Sequence, residues 1–329
     1  MRKLSYCPKD LLVGFYKKKV SRGPFFDGQV SVISSYNKLG ETVLLSFIPE
    51  QASKERKNIF LGKLGNTYHD SVFKNNPFEK STDEYNGFHS YTERFNLGNG
   101  NIIQQVQRLL TLEVKDKPKG SLYNTGFKVK GRIGIHIDGV SAGRFHGSKR
   151  QIYSRNIEVL QKFIYDNPSH EFYQFGQGLK KDESILPSGV SVPVNGNKEG
   201  LFRRVVDCLN GSVESAIDLA ATCEYFICLN SSFYHIAAAL DCKVICIINN
   251  PKIEECYLPI LINEMPPVLA PYDVFDKVWL YPQSVHLHQD GGNDLVPIFS
   301  EENLKRAING EVYPFWRDDY LNLIHEFRR

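Results

Sequence analysis

The sequence predicts an α/β fold built on parallel sheets and divided into two Rossmann-like domains. Three observations carry this reading. Short β-branched runs alternate with helical patterns from Gly131 to Ile248. Most of these runs end at a glycine, a serine or a polar loop, as strands do when they hand over to a crossover helix. The chain of 329 residues is long enough for two domains of ordinary size, at roughly 100–200 residues each.

The second domain is the clearer one, at about 128–280. Arg132–Ile137 reads as a buried strand, followed by a polar loop from Asp138 to Arg150. A helix follows with Ile157, Leu160 and Ile164 on one face, stopped by Asn167-Pro168. Glu171–Phe175 and Arg204–Leu209 are the next strands. Ser212 is placed to cap a helix running to about Cys223, with Glu214 in its first turn. Tyr225–Leu229 is a strand, Asn230-Ser231-Ser232 opens a small-residue helix to about Leu240, and Lys243–Ile248 is a strand again. Strands and helices at this spacing form a parallel sheet covered on both faces.

The first domain, 1–127, begins with a basic lead segment, 1–28, and gives weaker signals. Gln29–Ser34 and Ile59–Gly62 are strand candidates, and Asn101–Leu112 is a helix with Ile102, Ile103, Val106, Leu109 and Leu110 on one side. Propensity alone reads Thr42–Ile48 as a strand, because it is β-branched and aromatic. Lys115–Gly120 reads as a linker. The tail, 281–329, is expected to be helical and to pack back toward the first domain.

Composition narrows the function classes. A net charge of +3 is too small to argue for nucleic acid. No run reaches the ~18 apolar residues of a membrane span, and the N-terminus lacks a signal-peptide pattern, so a cytoplasmic protein is expected. The basic lead segment reads as a solvated charge run. Its other reading is contact with anionic lipid or a phosphorylated glycolipid at the inner membrane. The seven cysteines, Cys7, Cys208, Cys223, Cys228, Cys242, Cys246 and Cys256, contain no C-x-x-C pair and read as reduced thiols.

The segment Val205 to Ile247, VVDCLNGSVESAIDLAATCEYFICLNSSFYHIAAALDCKVICI, resembles the donor-binding half of the bacterial ADP-heptose:lipopolysaccharide heptosyltransferases, glycosyltransferase family 9. That family has a strand ending in an Asp-Ser/Thr-Gly loop and a His one turn into an alanine-rich helix. Here the loop is Asn230-Ser231-Ser232 and the histidine is His235. The strand RIGIHI with the Ser/Lys/Arg loop after it matches as well, and VSVISSYNKLGETVLL resembles the family's first strand and the helix that follows. The resemblance implies the GT-B architecture, with two domains facing a cleft, and makes a helix start at Thr42 the preferred reading.

The resemblance also implies a function and a site. The implied activity is transfer of a sugar from a nucleotide-diphosphate sugar to a cell-surface glycan or glycolipid, with inversion and with no cofactor or metal. A helix N-terminus with small residues suits a diphosphate, because its backbone N–H groups and partial positive charge face the anion. Asn230, Ser231, Ser232 and His235 are therefore donor-site candidates, and His235 is a candidate catalytic residue as well. Ser141, Lys149 and Arg150 belong to the loop in which the family keeps a basic residue for the leaving phosphate. Gly176 ends a strand where the nucleobase is expected. Glu41 stands where the family carries its catalytic Asp and is the candidate general base. Two positions depart from the family, Asn230 and Glu41, each replacing an Asp.

Plainer readings stand beside these. Asn230 or a serine caps the helix, His235 is a satisfied core histidine, and Ser141–Arg150 is a solvated basic loop. His286-x-His288-x-Asp290 puts three ligand-type side chains on one face if it is a strand. An interdomain, acceptor or structural role is preferred over metal there. Asn230 supports the alternative of a non-catalytic nucleotide-sugar or glycan-binding module. A nucleotide-sugar epimerase has no motif to recommend it.

Overall fold

The computed structural model describes residues 31–33, 38–83, 102–124, 126–137, 152, 154–176, 204–209, 211–248, 281, 283–289 and 297–312. The fold is mixed α/β with parallel sheets, in two compact units that divide at Tyr123/Asn124. Among the described residues no helix is long and apolar enough to cross a membrane.

The first unit contains β1 (Ser31–Ile33), α1 (Leu39–Leu44), α2 (Ile48–Lys54), β2 (Ile59–Gly62), α3 (His69–Phe73), β3 (Ser81–Thr82) and α4 (Ile102–Leu109). Its three strands are parallel, in the order β1-β2-β3. The segment from Thr42 to Ile48 is helical, with a 3-10 turn at Leu45–Phe47 between α1 and α2. Every side chain from Thr42 to Ile48 is buried. Burial of this whole turn against the sheet overrides the modest β-propensity of its residues. Buried amides hold α4 to α2. Gln107 Nε2 donates to Gln51 Oε1 at 2.8 Å, and Gln51 Nε2 donates to the Glu113 carbonyl at 2.6 Å.

The second unit contains β4 (Val129–His136), α5 (Ser154–Asp166), β5 (Glu171–Gly176), β6 (Val205–Leu209), α6 (Val213–Ala221), β7 (Cys223–Leu229), α7 (Ser232–Ala239), β8 (Lys243–Ile248), β9 (Val285–His288) and α8 (Glu301–Ile308). The six strands are all parallel, in the order β6-β5-β4-β7-β8-β9. Period-2 alternation sends Ile133, Ile135, Ile227, Leu229, Ile245, Ile247 and Leu287 into one core with Leu160, Phe163 and Ile164 of α5.

The described part of the tail holds a strand as well as a helix. Val285–His288 is the sixth strand, and α8 adds Leu304, Ala307 and Ile308 to the same core. These parts belong to the second unit. Burying an Ile or Leu contributes about 1.5–3 kcal/mol, whereas the solvent-exposed Lys162–Glu301 ion pair is screened by water and adds little. The apolar face therefore decides where α8 docks. Residues 313–329 lie outside the described residues.

The opposite face of the sheet depends on one glycine. A Cβ at Gly134 would stand 2.3 Å from the Phe226 ring. Without it, Phe226 lies flat over β4 and meets Phe175 and Phe233, with ring centroids 5.3 and 6.0 Å away. Free thiols at Cys223, Cys228, Cys242 and Cys246 are buried in this unit, and Cys208 is half-buried.

Candidate functional site

The strand order of the second unit reverses direction between β4 and β7. Connections from β4 run outward to β5 and β6, whereas β7, β8 and β9 lie on the other side. In open parallel sheets ligands bind at such a switch point, outside the carboxyl ends of the strands. The side chains presented there come from the end of β4 and from the turn between β7 and α7.

His136 is the last residue of β4 and is 5 % exposed. Its Nδ1 lies 3.0 Å from Ser231 Oγ, and its ring stacks on Phe233 at 4.5 Å and 23°. Burial pushes the imidazole down to about 3, so the ring is neutral at physiological pH. Ser231 is the N-cap of α7, with extended backbone, yet its hydroxyl makes no cap bond to the helix. Asn230 is buried beside it, and Ser232 is half-buried at the first helical position.

The α7 sequence SFYHIAAA explains its fit. The helix is buried from Phe233 through Ala239, and the alanines let it lie close to β7 and β8. His235 lies one turn in and is 5 % exposed. Its Nδ1 is 2.6 Å from the Tyr281 hydroxyl. The Tyr281 backbone N–H donates to the Tyr234 hydroxyl at 2.6 Å, and that hydroxyl lies 3.3 Å from His286 Nε2. Burial raises both phenols far above their ordinary range, so each stays protonated.

The sequence-derived candidates are thus partly assembled. Asn230, Ser231 and Ser232 meet at the α7 N-terminus, and His235 follows, anchored by Tyr281. Gly176 reaches the same carboxyl edge at the end of β5 with φ 133°, a conformation that favours glycine. Ser141, Lys149 and Arg150 lie outside the described residues, as does Asp290. His286 and His288 do lie on one strand, opposite Cys246 and Ile248. No cluster of three metal-ligand side chains occurs among the described residues. Glu41 belongs to the first unit. It sits in the first turn of α1, 8 % exposed, next to Thr42, whose hydroxyl donates to the Lys38 carbonyl at 2.9 Å.

Two residues escaped the sequence reading. His136 had a signal, since a polar side chain ending an otherwise apolar strand of a parallel sheet marks the ligand edge. Tyr281 had none, because its partner lies 46 positions away across no recognisable motif.

Comparison with solved structures assigns this architecture to a class. The fold is similar to that of the glycosyl transferase family 9 protein from Veillonella parvula DSM 2008, at 10 % identity and a TM-score of 0.50, over 85 % of this chain and 96 % of that one. Two other neighbours carry related names. The bacterial iron-containing dodecameric glycosyltransferase TibC from enterotoxigenic E. coli H10407 matches at 12 % identity and a TM-score of 0.49, over 85 % of this chain and 75 % of that one. E. coli ADP-heptose lps heptosyltransferase II matches at 8 % identity and a TM-score of 0.46, over 85 % and 98 %. No family model and no curated protein matches the chain. The Veillonella protein bears the name of the family that Val205–Ile247 resembles, and what it shares with this chain is the fold.

Proposed function

We propose that this chain is a glycosyltransferase that moves a sugar from a nucleotide-diphosphate sugar to a hydroxyl of a bacterial cell-surface glycan or glycolipid. The observation that carries the reading is the Asn230-Ser231-Ser232 turn at the switch point, joined to the end of β4 through His136. The donor diphosphate binds the first turn of α7, within a donor domain spanning about 128–280. His235 meets a donor phosphate or sugar hydroxyl, and Ser141 and Gly176 complete the donor site. Lys149 and Arg150 neutralise the charge that develops on the departing phosphate.

Glu41 is the general base. Its carboxylate takes the proton of the acceptor hydroxyl, whose oxygen attacks the anomeric carbon opposite the leaving group. The bond from that carbon to the phosphate oxygen breaks, and the nucleoside diphosphate leaves with the electron pair. The anomeric centre is inverted and no divalent metal takes part.

A thermal-shift screen of nucleotide sugars, grouped by base, tests the donor assignment. At least one is expected to raise the melting midpoint by mass action, and product should form when an acceptor is present. No shift with any of them removes the reading. Loss of turnover on chelation, restored by Mg²⁺ or Mn²⁺, removes the metal-independent mechanism alone. Asn230 favours one alternative, a donor-binding module without turnover. A shift with no transfer to any acceptor or to water identifies it.

A further inference from the structure

His136 and Ser231 sit 95 positions apart and meet across the strand reversal. Among the described residues, three helices of the second unit begin at a serine N-cap. Ser212 Oγ accepts from the Ser215 N–H at 3.1 Å, and Ser300 Oγ accepts from the Asn303 N–H at 3.2 Å. Those two hydroxyls behave as cap serines do. The Ser231 hydroxyl instead turns to His136 and caps nothing. The bond is held from both sides, since Phe233 backs the imidazole and Gly134 and Phe226 fix the strand that carries it.

We propose that His136 is a positioning residue for the nucleotide diphosphate: its Nδ1–H donates to Ser231 Oγ, aiming the Ser231 O–H at a phosphate oxygen. The assignment rests on the donor site proposed above. A neutral imidazole carries one donor and one acceptor nitrogen, and the two tautomers differ in consequence. If Nδ1 accepted, the serine proton would be spent on the ring and only lone pairs would face the phosphate, which repels them. If Nδ1 donates, the serine proton is left for the anion. The same bond keeps the hydroxyl off the helix, so the first-turn N–H groups of α7 face the ligand as well. His136 itself stays uncharged and touches no substrate. Its contribution is direction, not charge.

The test titrates ADP, GDP, UDP and CDP into the full chain by calorimetry, together with the four nucleosides. His136→Phe keeps a ring over Phe233 and removes the nitrogens. The diphosphate that binds the wild-type chain should bind about tenfold more weakly to His136→Phe, the size of one hydrogen bond to a charged group. Ser231→Ala should lose a similar factor, and the double variant should lose no more than either single one. His136→Asn, which offers an N–H near the place of Nδ1, should recover most of the affinity. Affinity for the corresponding nucleoside should stay the same in all four variants, which a general loosening of the fold would not allow. Unchanged diphosphate affinity in His136→Phe, or an equal loss for the nucleoside, overturns the inference and leaves the donor site standing. If His136→Phe does not fold, Ser231→Ala at its half-buried position decides by the same two affinities. A wild-type chain that binds none of the four diphosphates removes the donor site and this inference with it.

Discussion

The two parallel sheets of this protein place their chemistry in different ways. In the first unit the strands are three, four and two residues long. The residue of interest, Glu41, is set by local structure, in the first turn of a six-residue helix braced by its neighbour Thr42. In the second unit the strands run from four to eight residues, and the site is assembled from distant parts. The end of β4 meets the start of α7, and α7 is pinned by Tyr281 ahead of β9. A long, fully paired sheet holds remote side chains in register, and a short one leaves placement to the nearest turn. Damage to the large sheet should therefore disturb folding and binding together, while damage at Glu41 should leave the fold alone.

The largest break is expected at Gly134. Gly134→Val pushes a branched side chain into the Phe226 ring, which is enclosed by Phe175 and Phe233. Overpacking of this kind costs about 1–3 kcal/mol or more. The second unit should lose its cooperative unfolding transition or melt far lower, as read by near-UV circular dichroism and urea titration. A wild-type midpoint would show that β4 can move away from β7.

Glu41→Gln probes the other side of the comparison. Melting and nucleotide-sugar binding are expected to stay as in the wild type, while turnover falls by about 100-fold or more. A normal rate with a small stability loss would make Glu41 a helix-cap carboxylate.

A pH titration sharpens the contrast further. The folded-state value of His136 lies near 3, below the ordinary 6.5, because burial penalises the charged ring. Between those values the unfolded chain holds the extra proton, so stability is full above pH 6.5 and falls as the pH drops toward 3. The slope from this one group is about 1.4 kcal/mol per pH unit. His69 of the first unit is shifted the same way, chiefly by burial. His136→Phe should flatten the acid slope of the second unit, as followed by urea midpoints between pH 7 and 5. An unchanged slope would show that water reaches the ring.

The smallest effect separates the cap serines. Ser212→Ala should cost about 1 kcal/mol, because its hydroxyl caps α6. Ser231→Ala should cost less through capping, since its hydroxyl makes no cap bond. Equal costs would mean that the Ser231–His136 bond matters to stability as much as a cap does.

Most of the second sheet was legible in the residues. The alternation of Ile133, Ile135 and Ile137, the run Tyr225–Leu229 and the Ser212 cap are local signals, and each names its element with ends that differ by up to three residues. The family pattern also pointed to Asn230, Ser231, Ser232 and His235, which the fold gathers at one carboxyl edge. The first unit was harder to read. Its β3 is two residues long and α3 is five, too short to show a period.

Sequence by itself determined the fold class and the strand–helix rhythm of the second unit, because burial with a fixed period and cap chemistry act over a few residues. Three things rest on tertiary packing. Thr42–Ile48 is helical, as the family resemblance implied against its β-propensity, because its whole circumference is buried. β9 and α8 join the second unit because Leu287, Leu304 and Ile308 complete a core whose other walls lie far back in the chain. The Ser231 hydroxyl meets a histidine 95 residues earlier, a partner that only the pairing of β4 with β7 brings within 3.0 Å.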